Sequence, residues 1–329
     1  MTTRPAVAAP ATAASPVRVT VLTVIMVGLL TAGWFLSGLL VREVPPLTVA
    51  AVRTAATFAA LTLIVLARPV TRAAAGIATG RVRAVVLLAV FGFLLYYAGT
   101  MLGIARIGAA ATGMVVGLLP CVTFLVGLAA FGERLRAAKL AGVVLAVGAA
   151  LAYGLRHGTP PGLTYTGEGT VITGVALALC GTIAYAVYGY SYRVWMGDLP
   201  AIASLPAITG VATVLLLVLA ALVPGGLRLP LDQLPALLLL GVVFTAPVFF
   251  VSHELVLLRG PLFTNSVAVC VPFLIRGAEW ALGSAPFFGL GELALFALAA
   301  TGVLITVRTT SPPSRSSPSS PSSRSKEAQ

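Results

Sequence analysis

The sequence predicts an all-α polytopic membrane protein: ten transmembrane helices arranged as two inverted five-helix repeats. Three observations predict it. Apolar residues make up 59% of the 329 residues and charged residues only 9%, whereas about a quarter of a soluble domain is charged. A soluble fold so poor in charge could not cover its own surface, and mean hydropathy is +1.04. Apolar runs of bilayer-crossing length, about 20 residues each, recur along the chain. The two halves also resemble each other at a nearly constant offset.

Residues 1–16 are mostly Ala, Pro and Thr, and residues 309–329 mostly Ser, Pro and Arg. Neither segment can bury enough apolar surface to order itself, so both read as disordered tails. Between them, apolar runs and breakers mark spans at 19–41, 47–67, 83–104, 109–131, 137–155, 170–192, 201–223, 234–257, 261–283 and 287–307. The first run is too long for a signal-peptide core and is expected to stay in the mature chain.

The net charge of +12 would point to nucleic acid on a soluble protein. Here the placement of the basic residues explains it. With the N-terminus in the cytoplasm, 15 of the 21 Lys and Arg fall on inner segments and 4 on outer loops, and Arg53 and Arg276 lie within spans. That bias predicts a multi-pass protein of the plasma membrane with both termini cytoplasmic. No nucleic-acid partner is expected. Cys121, Cys180 and Cys270 lie in apolar stretches without metal-ligand spacing and read as small buried hydrophobes; no metal or cofactor is expected. Small residues recur every fourth position at Ala51, Ala55 and Ala59, at Ala109, Gly113 and Gly117, and at Gly142, Ala146, Ala150 and Gly154. Such ladders let helix backbones approach closely.

Aligning Pro120 with Pro272 pairs Tyr97 with Phe249, Gly108 with Gly260 and Thr112 with Thr264, all at an offset of 152. Five helices per unit is an odd number, so the second unit enters the membrane from the opposite side. Inverted repeats characterise alternating-access transporters, whose site lies near the midplane between the units.

The stretch PPLTVAAVR ending at Arg53, Pro120 through FGERL at 131–135, and the following Gly142 and Gly148 resemble the drug/metabolite transporter superfamily, EamA type. The resemblance implies residues 17–157 as a first EamA-like repeat and 158–308 as a second, with a central cavity. It also implies transport of small metabolites, amino acids or drugs, most often outward. Import or exchange by the same fold is the alternative. Where the family has a second Gly-Glu turn, this chain has GSAPF at 283–287, so Glu133 has no counterpart.

Intramembrane charges usually face a cavity or a partner. Asn265, Pro272, Arg276 and Glu279 are spaced to share one helix face, a candidate cavity lining; an outward-snorkelling Arg276–Glu279 pair is the alternative. Arg53, Arg276 and Glu279 are expected to form a charged cluster in the outer half. His253 and Glu254 sit near the inner end of the eighth span. A solvated helix end beside Arg259 is favoured there over a proton-carrying pair, which leaves proton coupling open. Trp34, Tyr97, Tyr185 and Tyr188 are candidate aromatic walls for a small-molecule substrate, with Tyr192 continuing the face of Tyr185 and Tyr188. Pro120 and Pro272 are candidate hinges. Glu133 reads as a helix-start carboxylate.

An intramembrane enzyme is disfavoured. Asp198 and Asp232 fall at opposite membrane faces, so no carboxylate cluster for a metal-bound diphosphate forms. Ser252 and His253 are adjacent in sequence and so point different ways on a helix. Short loops disfavour a scaffold. The chain is expected to work as a monomer or homodimer in a bacterial plasma membrane.

Overall fold

The structure, a computed structural model, describes residues 15–130, 137–157, 170–283 and 286–308. The first 14 residues, the predicted C-terminal tail, the FGERL turn with Glu133, and part of GSAPF lie outside the described residues; Pro16, read as the end of the N-terminal tail, instead starts a helix.

Among the described residues the chain is helical, without strands. α1 is Pro16–Leu40, α2 Pro46–Leu66, α3 Pro69–Gly80 and α4 Val82–Ala89. A π-helical segment, Val90–Leu95, leads into α5, Tyr96–Val116. α6 is Leu119–Ala130, α7 Ala137–His157, α8 Thr170–Met196 and α9 Ala201–Leu222. α10, Leu234–Leu238, runs through a second π segment, Leu239–Thr245, into α11, Ala246–Arg259. α12 is Pro261–Val267, α13 Val271–Ala281 and α14 Leu290–Arg308. Six continuous helical stretches are long and apolar enough to cross a membrane, and three shorter apolar helices lie at 119–130, 137–149 and 290–302.

The breaks have local causes. Gly108 sits inside α5 at φ 80°, ψ 166°, and Gly260 ends α11 at φ 88°, ψ 164°. Only glycine enters that region of φ/ψ space without strain, and these two glycines are the pair that the 152-residue offset aligns. Pro120 and Pro272 each follow an interruption, a turn at 117–118 and a 3₁₀ turn at Ala268–Cys270. Proline removes an N–H and crowds the carbonyl four residues back, so a helix does not run undisturbed into it.

The packing pairs follow the same correspondence. α2 packs on α9 and α7 on α14. α1 packs on α11 and α13, while α8 packs on α5 and α6. Each π segment contacts the first helix of the other half, Val90–Leu95 meeting α8 and Leu239–Thr245 meeting α1. One buried cluster holds Trp34, Phe93, Tyr97, Tyr188, Ile208 and Phe249. A second joins Met114, Tyr153, Phe273 and Leu295. The outside of the bundle is also apolar, with Leu63, Val144, Ile172 and Leu222 exposed. That surface suits hydrocarbon rather than water.

Three expectations need correction. Residues 69–80, read as an inner loop, form α3, which starts at Pro69 and packs on α9 and α2; its Ala-rich run favours helix, and it is too short to register as a span. The α2 ladder is turned partly outward, with Ala59 exposed. Close approach falls instead beside Ala56, where a Cβ on Gly241 would lie 2.5 Å from the Ala56 Cβ. Cys121 is buried, but Cys180 and Cys270 are exposed on the chain. The α7 ladder does pack closely: a Cβ on Gly302 would lie 2.5 Å from the Gly142 carbonyl oxygen and 2.7 Å from the Ala146 nitrogen.

Gly99 has no room for a side chain either, because a Cβ there would overlap the Leu177 carbonyl of α8, whereas Gly28 faces open space. Gly99→Val is expected to destabilise the protein by about 1–3 kcal/mol through overpacking, and Gly28→Val to leave it nearly unchanged. Thermal unfolding in detergent compares the two; equal melting temperatures would contradict this packing.

Candidate functional site

A small cavity of about 50 Å³ lies in the bundle, walled by Met26, Leu30 and Trp34 of α1, Tyr96, Gly113 and Val116 of α5, and Tyr185 of α8. Val248 and Ser252 of α11 and Thr264 and Asn265 of α12 complete much of the wall. Asn265 donates from Nδ2 to Thr123 Oγ1 at 2.8 Å. The interrupted helices meet here, the Gly113 Cβ position being 3.4 Å from the Pro272 Cβ. Ligand pockets usually measure about 300–1,000 Å³, so this cavity is contracted. Wider open grooves lie at the two ends of the bundle. One, of about 720 Å³, is lined by Arg42, Glu43 and Arg228 among others; the other, of about 730 Å³, by Arg81, Arg193, Asp198 and Leu257.

Beyond the cavity wall, toward the Arg42 end, stands Arg53. This side chain is only 6% exposed. Its Nε donates to Thr245 Oγ1 at 2.8 Å and its Nη1 to Ser37 Oγ at 3.3 Å. The guanidinium carbon stands 4.6 Å from the centre of the Tyr97 ring. Burying a charge costs several kcal/mol. Hydrogen bonds to a charged group return about 1.5–3 kcal/mol each and a desolvated cation–π contact about 2 kcal/mol. Ser37 and Thr245 in turn donate to the carbonyls of Gly33 and Leu240, which leaves their lone pairs to the guanidinium. The second of these carbonyls lies five residues back, in the π segment.

Toward the Arg81 end stand aromatic side chains. Tyr188 and Tyr192 are fully buried, and His253 is 2% exposed. The His253 ring centroid is 5.6 Å from that of Tyr188 and 4.4 Å from that of Tyr192. His253 Nδ1 lies 2.6 Å from the Phe249 carbonyl, which can only accept, so Nδ1 carries the proton. In the neutral ring Nε2 then accepts from the Tyr188 hydroxyl. The solvated helix end favoured from the sequence is therefore wrong for His253, because α11 turns it inward between α8 aromatics. Glu254, its neighbour, instead pairs with Arg18 at 2.5 Å. Farther along this end, Arg81 pairs with Asp198 at 2.6 Å and holds that carboxyl below the usual carboxylate range.

A chain of ring contacts joins these two groups past the cavity. It runs from Tyr97 to Tyr96, at 5.3 Å between centroids, then to Tyr185 at 4.4 Å and Tyr188 at 5.4 Å. The sequence reading missed Tyr96, Ser37 and Thr245. The Tyr-Tyr pair at 96–97 was the available signal for Tyr96. Nothing distinguishes Ser37 and Thr245 from other helix hydroxyls until the fold brings them to Arg53.

Of the predicted residues, Trp34, Tyr185 and Asn265 line the cavity, while Tyr97 with Arg53 and Tyr188 with His253 form two buried clusters outside its lining. Arg276 and Glu279 lie beyond it. The 3₁₀ turn at Ala268–Cys270, with three residues per turn, shifts the register between Asn265 and Arg276. Arg276 Nη2 donates to the Pro286 carbonyl at 2.8 Å, and Nε lies 3.5 Å from Glu292 Oε1. Arg53 and Arg276 are thus held by different partners rather than in the single cluster expected. Glu279, one helical turn beyond Arg276, is half-buried.

Tyr188→Phe would leave the buried His253 Nε2 without a donor. It is expected to destabilise the protein by about 1–3 kcal/mol, with most of the loss recovered in the double variant Tyr188→Phe/His253→Leu, because removing both partners is nearly neutral. Melting temperatures in detergent check both; an unchanged single variant would contradict the bond.

Comparison with known proteins places this geometry. A protein of known crystal structure aligns over 89% of this chain and 98% of its own, with a TM-score of 0.65 and 18% identity, a likeness of fold. No curated protein matches the chain significantly. Residues 18–154 match the EamA-like transporter family. Through these residues the chain is similar to that family of membrane transporters.

Proposed function

We propose that the protein is a secondary-active transporter that exports small organic molecules across the bacterial plasma membrane by alternating access. In this reading ten helices cross the membrane as two inverted five-helix repeats, residues 17–157 and 158–308. The Arg81 end faces the cytoplasm, together with both termini.

The observation that supports the reading is a small cavity flanked by different chemistry, Arg53 with Ser37 and Thr245 beyond it on one side and the Tyr188–His253 pair beyond it on the other. A channel needs one continuous path, whereas a carrier needs two closures that open in turn. The paired breaks at Gly108 and Gly260 and before Pro120 and Pro272 support the repeat. They also supply points about which the fourth and ninth spans can bend. Interrupted helices at the midplane are where transporters of inverted-repeat build hold their substrates.

Proton coupling runs through His253 in this account. A proton on Nε2 would turn that atom from acceptor to donor toward the Tyr188 hydroxyl, reversing the bond that closes the inner end. Glu254 takes no part, being paired with Arg18.

Reconstituted vesicles offered a labelled panel of amino acids, nucleobases and aromatic drugs, with and without a pH gradient, test this function. Carriage of one class is expected, accelerated by the gradient and reduced at least about ten-fold, roughly 1.4 kcal/mol, by Tyr185→Ala at equal folded yield. Wild-type rates in that variant would remove Tyr185 from the site. Absence of transport of every compound by folded protein would overturn the function.

A further inference from the structure

Two arginines are buried in the bundle, and they are treated differently. Arg276 meets a carboxylate, Glu292, at 3.5 Å. Arg53 meets none: among the described residues its partners are two hydroxyls and a ring face, and no carboxylate lies within ion-pair distance. Its Nη2 makes no hydrogen bond. Arg18 and Arg81, which also pair with carboxylates, sit at the ends of the bundle. Arg53 therefore carries a charge in the low-dielectric interior that neutral groups solvate but do not cancel.

The position of this charge relative to the cavity is set by register. On α1, Met26, Leu30 and Trp34 line the cavity, and Ser37 continues their face one turn farther. On the other side, Val248 and Ser252 line it, and Thr245 continues their face by one turn in the same direction. The two hydroxyls that hold Arg53 thus lie one turn beyond the residues that line the cavity, and the guanidinium stands beyond its wall on that side. Among the described residues the rest of the wall is apolar or neutral, with no acidic side chain in it.

We propose that the cavity takes an organic acid, a carboxylate attached to an apolar or aromatic body, and that Arg53 binds the carboxylate. The inference rests on the transporter reading and names its substrate class. A carboxylate supplies the counter-charge the protein withholds, and a guanidinium can grip it through two parallel N–H bonds. Nη2 is available for one, and the 3.3 Å bond from Nη1 to Ser37 is the longer of the two existing contacts and the easier to exchange. Tyr96, Tyr185 and Trp34 receive the apolar body. A cationic amine would meet Arg53 as a like charge with no acid in the wall to hold it, so amines are rejected.

Matched probes test this: phenylacetate, phenylethylamine and phenylethanol, with indole-3-acetate, tryptamine and tryptophol as a second set. Binding is read from the rise in melting temperature of the purified full chain in detergent. The acids are expected to bind at least about ten-fold more tightly than the amines and alcohols. Arg53→Gln is expected to lower the acids to the level of the alcohols, and Arg53→Lys, which keeps the charge without the fork, to retain a weaker preference. If Arg53→Gln does not fold, Arg53→Lys and Ser37→Ala carry the test, with the affinity for acids altered in both and that for alcohols in neither. Equal or tighter binding of the amines or alcohols, no binding of any probe, or unchanged acid affinity in the variants would overturn the inference. Binding of amines or alcohols alone overturns it and leaves the transporter reading intact. An acid that binds through Arg53 but is not carried in vesicles overturns the transporter reading and leaves the carboxylate site standing.

Discussion

The guanidinium of Arg53 ties together parts of the chain that are far apart in sequence. It leaves α2, bonds Ser37 of α1 and Thr245 at the start of α11, and lies over Tyr97 of α5. Four helices from both halves therefore converge on one buried charge. In an apolar medium that charge cannot find water, so its neighbours must supply every compensating contact. The π segment before α11 is part of the supply, because Thr245 bonds a carbonyl five residues back while accepting from Arg53. This cluster stands one turn beyond the residues that line the cavity.

At the other end the same constraint is met differently. His253 and Tyr188 satisfy each other, and Tyr192 is held by Ser204 at 2.8 Å. One end holds an ion among neutral groups, the other neutral rings. Between them, the helices are broken at Gly108 and Gly260 and before Pro120 and Pro272. In a fold so arranged, opening one end need not disturb the partners of the other.

Much of the architecture was legible in the sequence because breakers are local. Gly108 and Gly260 fall where spans were divided, and the arginine inside the second span was recognisable as a charge needing a partner. The orientation of each helix was not legible. In water, amphipathic periodicity says which face is buried; in lipid the outer face is as apolar as the core. Val144 and Leu63 outside match Ile104 and Leu61 inside, so the outward turn of the ladder at Ala59 and the exposure of Cys180 and Cys270 do not show in the sequence. His253 was read as solvated because proximity to Arg259 along the chain says nothing about rotation. Arg276 was assigned to the cavity because an unbroken helical period was assumed across a 3₁₀ turn. α3 was missed because it is too short to register as a span.

The proposed carrier requires that the two ends of the bundle open in turn. Paired spin labels in a chain cleared of Cys121, Cys180 and Cys270 test it directly. One pair replaces Arg42 and Arg228 at one groove, and the other Arg193 and Leu257 at the opposite groove. In vesicles, with and without a transported compound, lengthening of one distance is predicted to accompany shortening of the other. Both distances lengthening together, or neither moving while transport proceeds, would contradict the account.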